Sequence, residues 1–334
     1  MSIEVVKPGA LSLFQDSGRY GFQKLGVPVC GPMDESAHRL ANLLAGNEAD
    51  EAVLEITLMG PKLRFAEPAA IALAGADLGA RLDGQPLALN RPLVVRPGQV
   101  LDFTGGRSGM RGYLAVHGGF DLEPELDSRS TYLKGGLGGM AGRALKAGDV
   151  IGLKTGLPAD PGFLQEAERR LWEIRLYLPS RLGLLRRDTL RVVKGPHWGL
   201  FSEKSTREFV TAGFRISPQS DRMGYRISGP RLAVRKPVQI LSEATAFGAV
   251  QVPHGGDPIV LMADRQTMGG YPKIAHVVSV DLPSLAQSRP GEHVRFNLVS
   301  LEQAQELDGA RDAAFAELRA HLAPVRGILS GGSS

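Results

Sequence analysis

Residues 253–273 read PHGGDPIVLMADRQTMGGYPK. An apolar run over 259–263 is followed at once by a carboxylate, a guanidinium, an amide and a hydroxyl: Asp264, Arg265, Gln266 and Thr267. Side chains alternate along a strand, so such a quartet offers two polar groups to each face. Asp264 and Arg265 can fix one another, which leaves Gln266 and Thr267 for a planar polar ligand. Gly269 and Gly270 let a ligand approach the backbone closely. Tyr271 follows, and Lys273 adds a point charge suited to a carboxylate or phosphate. The competing reading is a buried polar corner that only satisfies turn backbone.

The recipe recurs upstream, where Gln219, Ser220, Asp221 and Arg222 form a second polar cluster opening onto glycine. Glu243 follows an apolar stretch at 239–241 and is a candidate general base if burial raises its pKa. His254, ahead of a Gly-Gly turn, is a candidate acid or base, or a turn cap. The catalytic candidates are therefore Asp264, Arg265, Glu243 and His254. The substrate-binding candidates are Gln219, Ser220, Asp221, Arg222, Gln251, Gln266, Thr267, Gly269, Gly270, Tyr271 and Lys273. In the first half, Gln15-Asp16-Ser17-Gly18-Arg19 and Gly31-Pro32-Met33-Asp34 are similar in style, with Asp34 better read as a helix cap. Cys30 has no His or Lys beside it in sequence to lower its pKa.

Several chemistries are excluded. A single cysteine rules out an internal disulfide and a cysteine-based metal cluster. No GxxxxGK[ST], HExxH or GxSxG is present, and Gly135-Gly136-Leu137-Gly138-Gly139 leads into no Lys-Ser/Thr pair. The Met-Lys-Met of a biotin carrier is missing. The net charge of +4 is spread without tracts, which fits an anionic small substrate or an acidic partner rather than nucleic acid. The opening MSIEVVKPGAL has no apolar signal region, and no run approaches the roughly 18 apolar residues of a membrane span, so a cytoplasmic protein is expected.

The elements that must position these residues are short. With 42 glycines and 6% aromatics, turns interrupt the chain often, and a mainly β protein with a few helices is expected. Residues 1–155 read as a β-rich domain of barrel or sandwich type, with about ten candidate strands after residue 52. Within it a helix is predicted from the Asp34 cap, through the stripe Ala37, Leu40, Ala41 and Leu44, to Gly46. Residues 156–189 read as a partly helical linker. A second β-rich unit spans 190–300, with candidate strands at 190–193, 231–234, 239–241, 249–252, 259–263, 275–280 and 294–298. From 301 to 334 a helix opens on the capping-box pair Ser300 and Gln303. It is expected to break near Gly309, reach Leu322 and give way to a flexible tail from Gly327.

The segments QDSGRYGF, GPMD, LEIT, GYLAVHGGF, SRSTYLKGG, GPHWGLF, QSDRMGYRISGP, ILSEATAFGAVQVPHGGDPIVLMADRQTMGGYPKIA and RPGEHVRF occur in that order. Together they resemble the allophanate hydrolase subunit 2 family, also called the biotin-dependent carboxyltransferase family, over roughly residues 3–300. The resemblance implies a cyclophilin-like β-barrel in the second half beside the N-terminal β-rich domain. It further implies one component of ATP-dependent 5-oxoprolinase, active only in complex with that enzyme's A subunit and a KipI-like B subunit. The enzyme opens the lactam of 5-oxo-L-proline to L-glutamate with ATP hydrolysis, and ATP would be held by, or shared with, the partners. Two alternatives come with the family. One is a biotin-dependent carboxyltransferase or allophanate hydrolase component of urea degradation, the only reading that involves biotin. The other is a KipA-like regulatory antagonist of a kinase inhibitor. A lactam resists water, so anionic intermediates need fixed donors such as Arg265, Lys273 and Arg222, with Glu243 or Asp264 orienting water.

Overall fold

Glycine and proline cut the apolar runs short, and the architecture is mainly β. The structure is a computed structural model and describes residues 1–331. Two units share the chain: Met1–Arg19, Asp34–Leu182 and the described residues from Ala313 form unit 1, and Tyr20–Met33 with Gly183–Asp312 form unit 2. The boundaries expected from composition run straight along the chain, whereas the units interleave.

Unit 1 contains β1 (Ser2–Lys7), β2 (Leu11–Gln15), β3 (Val53–Thr57), β4 (Lys62–Phe65), β5 (Ala69–Asp77), β6 (Ala80–Leu82), β7 (Gln85–Pro86), β8 (Pro92–Val95), β9 (Val100–Phe103), β10 (Ser108–Val116) and β11 (Val150–Gly152). They form a six-stranded sheet, β11-β1-β4-β9-β6-β7, and a five-stranded sheet, β2-β3-β10-β5-β8. The sheets share one apolar core to which Ile3, Val5, Leu54, Ile56, Ile71 and Leu73 contribute. The i, i+2 spacing of these pairs follows from strand alternation. On the opposite face β5 presents Ala70, Ala72 and Ala74, all buried, and their small size lets helix α1 (Glu35–Leu44) pack closely. Asp34 caps α1, accepting the Ala37 N–H at 2.9 Å, as its position predicts. Helix α2 (Pro161–Glu173) lies in the stretch expected to be linker; Asp160 caps it and Pro161 occupies its first position.

Unit 2 contains β12 (Thr189–Lys194), helix α3 (Glu203–Thr211), β13 (Phe214–Ile216), β14 (Gly224–Ser228), β15 (Glu243–Ala244), β16 (Ala249–Gln251), β17 (Ile259–Leu261), β18 (Met268–Gly269), β19 (Lys273–Val277), the short helix α4 (Leu282–Ala286) and β20 (His293–Leu298). Seven of these strands close into a barrel in the order β12-β19-β16-β17-β14-β13-β20. Leu190 and Val192, Phe214 and Ile216, Tyr225 and Ile227, and Val294 and Phe296 fill it with the same two-residue period. Phe209 of α3 stacks on Phe296, ring centroids 4.6 Å apart. Outside the barrel, β15 and β18 pair as a two-stranded ribbon.

Several expectations are corrected. Residues 231–234 and 239–241 form no strand; Pro230 precedes the first and Pro237 lies between the two, and neither can donate to a ladder. The strand expected at 259–263 stops at Leu261, and the one at 275–280 starts at Lys273 and ends at Val277. Helix α5 (Leu301–Leu329) runs through Gly309 without a break. A Cβ at Gly309 would meet open space, so that glycine carries only its intrinsic cost of about 1 kcal/mol. The helix also continues past Leu322 and Gly327, where a tail was expected, while residues 332–334 lie outside the described residues. Its start is as predicted: Ser300 Oγ accepts the Gln303 N–H at 3.1 Å and Gln303 Oε1 accepts the Ser300 N–H at 2.9 Å.

Candidate functional site

Lys273 opens β19 and is only 4% exposed. A buried ammonium must be paired, and its partners come from the β15 ribbon strand. Nζ donates to Glu243 Oε1 at 2.9 Å and to the Ala244 carbonyl at 2.7 Å. An ammonium carries three protons, so a third has no acceptor among the described residues. Directly opposite Lys273 in the β16–β19 pairing stands Gln251, 1% exposed, whose Nε2 is buried without a hydrogen-bond partner. Its Oε1 accepts from Gln266 Nε2 at 3.3 Å. Two neighbouring donors with unmet capacity are what a carbonyl oxygen gaining negative charge requires.

The glycines explain how the amide fits. Gly269 pairs with Glu243 across the ribbon, and a Cβ there would stand 2.7 Å from Gln251 Nε2. Gly270 is similarly tight, with the Ile240 carbonyl 3.0 Å from its Cβ position. The close approach that the glycine pair was expected to allow is thus made in part by the protein's own groups. Thr267 takes part through its carbonyl, which accepts the Thr245 N–H at 3.0 Å.

The charge of Glu243 differs from expectation. The Lys273 hydrogen bond, reinforced by the Lys273 charge and by the neighbouring His197 and His276 rings, holds its carboxyl below the usual carboxylate range despite an opposing burial effect. Glu243 is therefore a firm carboxylate, ion-paired to Lys273, and not a base raised by burial. His276 on β19 is pushed down by burial, then by Lys273, and so favours the neutral form.

The expected Asp264–Arg265 pairing does not form. Asp264, 6% exposed, takes Arg222 in a two-point contact at 2.9 and 2.8 Å. Arg222 also donates to the Gly31 carbonyl at 2.7 Å, and the Asp264 N–H reaches the Arg222 carbonyl at 2.8 Å. This clasp ties the turn after β17 to the one before β14 and to the 20–33 segment. Arg265 is instead half-buried, its guanidinium 5.6 Å from the Phe247 ring centroid, with burial lowering its pKa. Asp221 Oδ1 accepts the Met223 and Gly224 N–H groups at 2.8 and 3.2 Å. Ser220 Oγ binds the Arg226 backbone, and the Gln219 N–H binds Ser217 Oγ. These three belong to a turn and make no hydrogen bond to Lys273, Glu243 or Gln251. His254 is exposed and meets Tyr271 edge-on, centroids 6.1 Å apart. It lines a separate cleft of about 730 Å³ with Arg231, Gln239 and Pro272, to which Lys273, Glu243 and Gln251 do not contribute.

Sequence reasoning assigned no role to His197 and His276. His197 Nδ1 accepts the backbone N–H of Lys273 at 3.1 Å, and its Nε2 lies 3.7 Å from Glu243 Oε1. The only sequence signal was the GPHWGLF segment itself. Among the described residues no cluster of His, Cys, Asp or Glu is arranged to hold a metal, and no helix is long and apolar enough to cross a membrane.

A family model described as carboxyltransferase domain, subdomain A and B, matches residues 25–298. The chain is 38% identical over 308 residues to the C subunit of 5-oxoprolinase from Haemophilus influenzae, covering 91% of this chain and 94% of that one. The namesake of Escherichia coli is 39% identical over 302 residues, covering 90% and 93%. Among solved structures, the K. lactis urea amidolyase superposes with a TM-score of 0.83 at 31% identity, over 95% of this chain. The chain spans only 20% of that enzyme.

Proposed function

Because the chain belongs to the family of carboxyltransferase domains with subdomains A and B, we propose that it is the C subunit of an ATP-dependent 5-oxoprolinase, working with an A subunit and a KipI-like B subunit. End-to-end similarity to the two C-subunit proteins supports this over the urea enzymes, of which such a chain is a small part. The observation that carries the chemistry is the adjacent pair of buried donors, the third Lys273 proton and Gln251 Nε2. Both donate to the lactam oxygen of 5-oxo-L-proline, where charge accumulates as the amide carbon is attacked. Glu243, itself part-exposed, holds the ammonium in place, and the burial of Lys273 and Gln251 strengthens the contacts those two donors make by excluding water. Half-buried Arg265 is a candidate partner for the substrate carboxylate.

The glycine-rich run at 135–139 is no phosphate cradle: the Cβ position of Gly138 falls 2.7 Å from Arg19 Nη2 and that of Gly139 falls against Thr131 Oγ1. These glycines serve close packing of the chain on itself. In this reading ATP is held by the partner proteins or shared with them, and the assembly is cytoplasmic. The test is reconstitution. The chain alone has no turnover; with the A and B subunits it supports ATP hydrolysis that depends on 5-oxoproline. No such hydrolysis with all three present rejects the reading.

The likeness to urea amidolyase favours a second reading, carboxyl transfer from biotin, since the ureido carbonyl of carboxybiotin suits the same two donors. Decarboxylation of a carboxybiotin carrier by the chain, with no response to 5-oxoproline, is the outcome that selects it.

A further inference from the structure

His197 is joined to Lys273 through the backbone in both directions. The His197 N–H donates to the Lys273 carbonyl at 3.2 Å, and the Lys273 N–H donates to His197 Nδ1 at 3.1 Å. The Gly195 N–H adds a bond to the Ile274 carbonyl at 2.8 Å. The pairing of β16 with β19 shifts register between Val250 and Gln251, and at that shift the Lys273 N–H takes the imidazole as its acceptor. A ring nitrogen that accepts a hydrogen bond carries no proton, so the neutral ring is protonated at Nε2. That N–H faces Glu243 Oε1 across 3.7 Å, beyond direct hydrogen-bond length but within electrostatic reach. One ring therefore bears on both members of the ion pair: it bonds the backbone of the lysine and lies 3.7 Å from the carboxylate of the glutamate.

We propose that His197 is a positioning residue: as the neutral Nε2–H imidazole it holds the Lys273 backbone at the register shift and turns the Glu243 carboxylate onto Nζ, leaving the third ammonium proton for substrate. The inference deepens the proposed function and rests on its reading of Lys273 as a donor to substrate. The charged groups around the ring are Glu243 and Lys273; His276 acts on the same carboxylate, and Lys194 lies 5.6 Å from the neighbouring Trp198 ring.

A ring that merely caps its turn has a different signature. His197→Asn keeps an acceptor near the Nδ1 position but offers nothing at Nε2. Three measurements decide. Long-range ¹H–¹⁵N correlation on the chain alone shows His197 protonated at Nε2 and not at Nδ1 near neutral pH. The Glu243 carboxyl, followed by ¹³C, titrates at higher pH in His197→Asn than in the wild type. In the complex with the A and B subunits, His197→Asn lowers kcat by about 10- to 100-fold, the scale of a small misplacement of a catalytic group, with KM changed far less. A proton on Nδ1, an unmoved Glu243 midpoint or an unchanged kcat each overturns the inference. If the wild-type complex itself has no 5-oxoproline-dependent turnover, the functional reading fails, while the two NMR measurements on the chain alone still decide the placement.

Discussion

Gln251 separates stability from activity at a single side chain. Its buried Nε2 lacks a partner, which costs the folded state about 1–3 kcal/mol. Gln251→Leu removes the orphan at similar volume. The thermal midpoint is expected to hold or rise while kcat in the complex falls by about 10²-fold or more; a stable variant with full activity would contradict the donor role. Asp16 shows the opposite case. Burial pushes its carboxyl up, but hydrogen bonds from Ser130, Ser128 and the Arg129 and Gly18 N–H groups outweigh that and hold it below the usual range. A folded pKa beneath the unfolded one contributes stability that is full above the unfolded value and is lost as pH falls through the folded one. Asp16→Asn is therefore expected to lower stability by about 1–3 kcal/mol at pH 7, with the gap to the wild type closing in acid. Denaturant melts at several pH values measure it, and a gap that widens as pH falls contradicts it.

The clasp between the turns before β14 and after β17 makes a prediction for the elements. Asp264 and Arg222 are both nearly fully buried, and removing one partner of such a pair costs about 3–5 kcal/mol. Asp264→Ala is thus expected to destabilise the protein itself; a variant with unchanged melting and lost turnover would return Asp264 to catalysis. The same elements show what sequence discloses. The Asp34 cap, the Ser300–Gln303 box and the two-residue period of the barrel strands are local, and each was legible. The partner of Asp264 was not, because the adjacent Arg265 competes in sequence while Arg222, 42 positions away, wins in space. Nor was the direction of the Glu243 shift: a carboxylate after an apolar stretch gives no hint that Lys273 and two histidines surround it. The ribbon β15–β18 is too short, at two residues a strand, to leave a periodic trace.

For the molecule as a whole, composition established a mainly β chain, while the family came from the ordered segments. The interleaving of the two units was not legible, since the 20–33 excursion into unit 2 depends on contacts far along the chain, such as Gly31 with Arg222. Lys273 is almost entirely covered, so Lys273→Met leaves the outer surface of the protein unaltered. That variant is expected to assemble with the A and B subunits, to lower turnover by about 10²–10³-fold, and, titrated against wild type, to reduce activity by competing for partners. Failure to compete would mean that the lysine also supports assembly.

The strand that completes the barrel is the last one made. β20 lies between β12, which it meets in parallel, and β13. A nascent chain that has not yet delivered residues 293–298 leaves both neighbours as open edges, each able to recruit a stray strand. On a ribosome adding about 5–20 residues per second, unit 2 waits for nearly its whole length to emerge. Chaperone protection during synthesis should accordingly be needed until late, and nascent chains stalled short of His293 should be the most prone to aggregate.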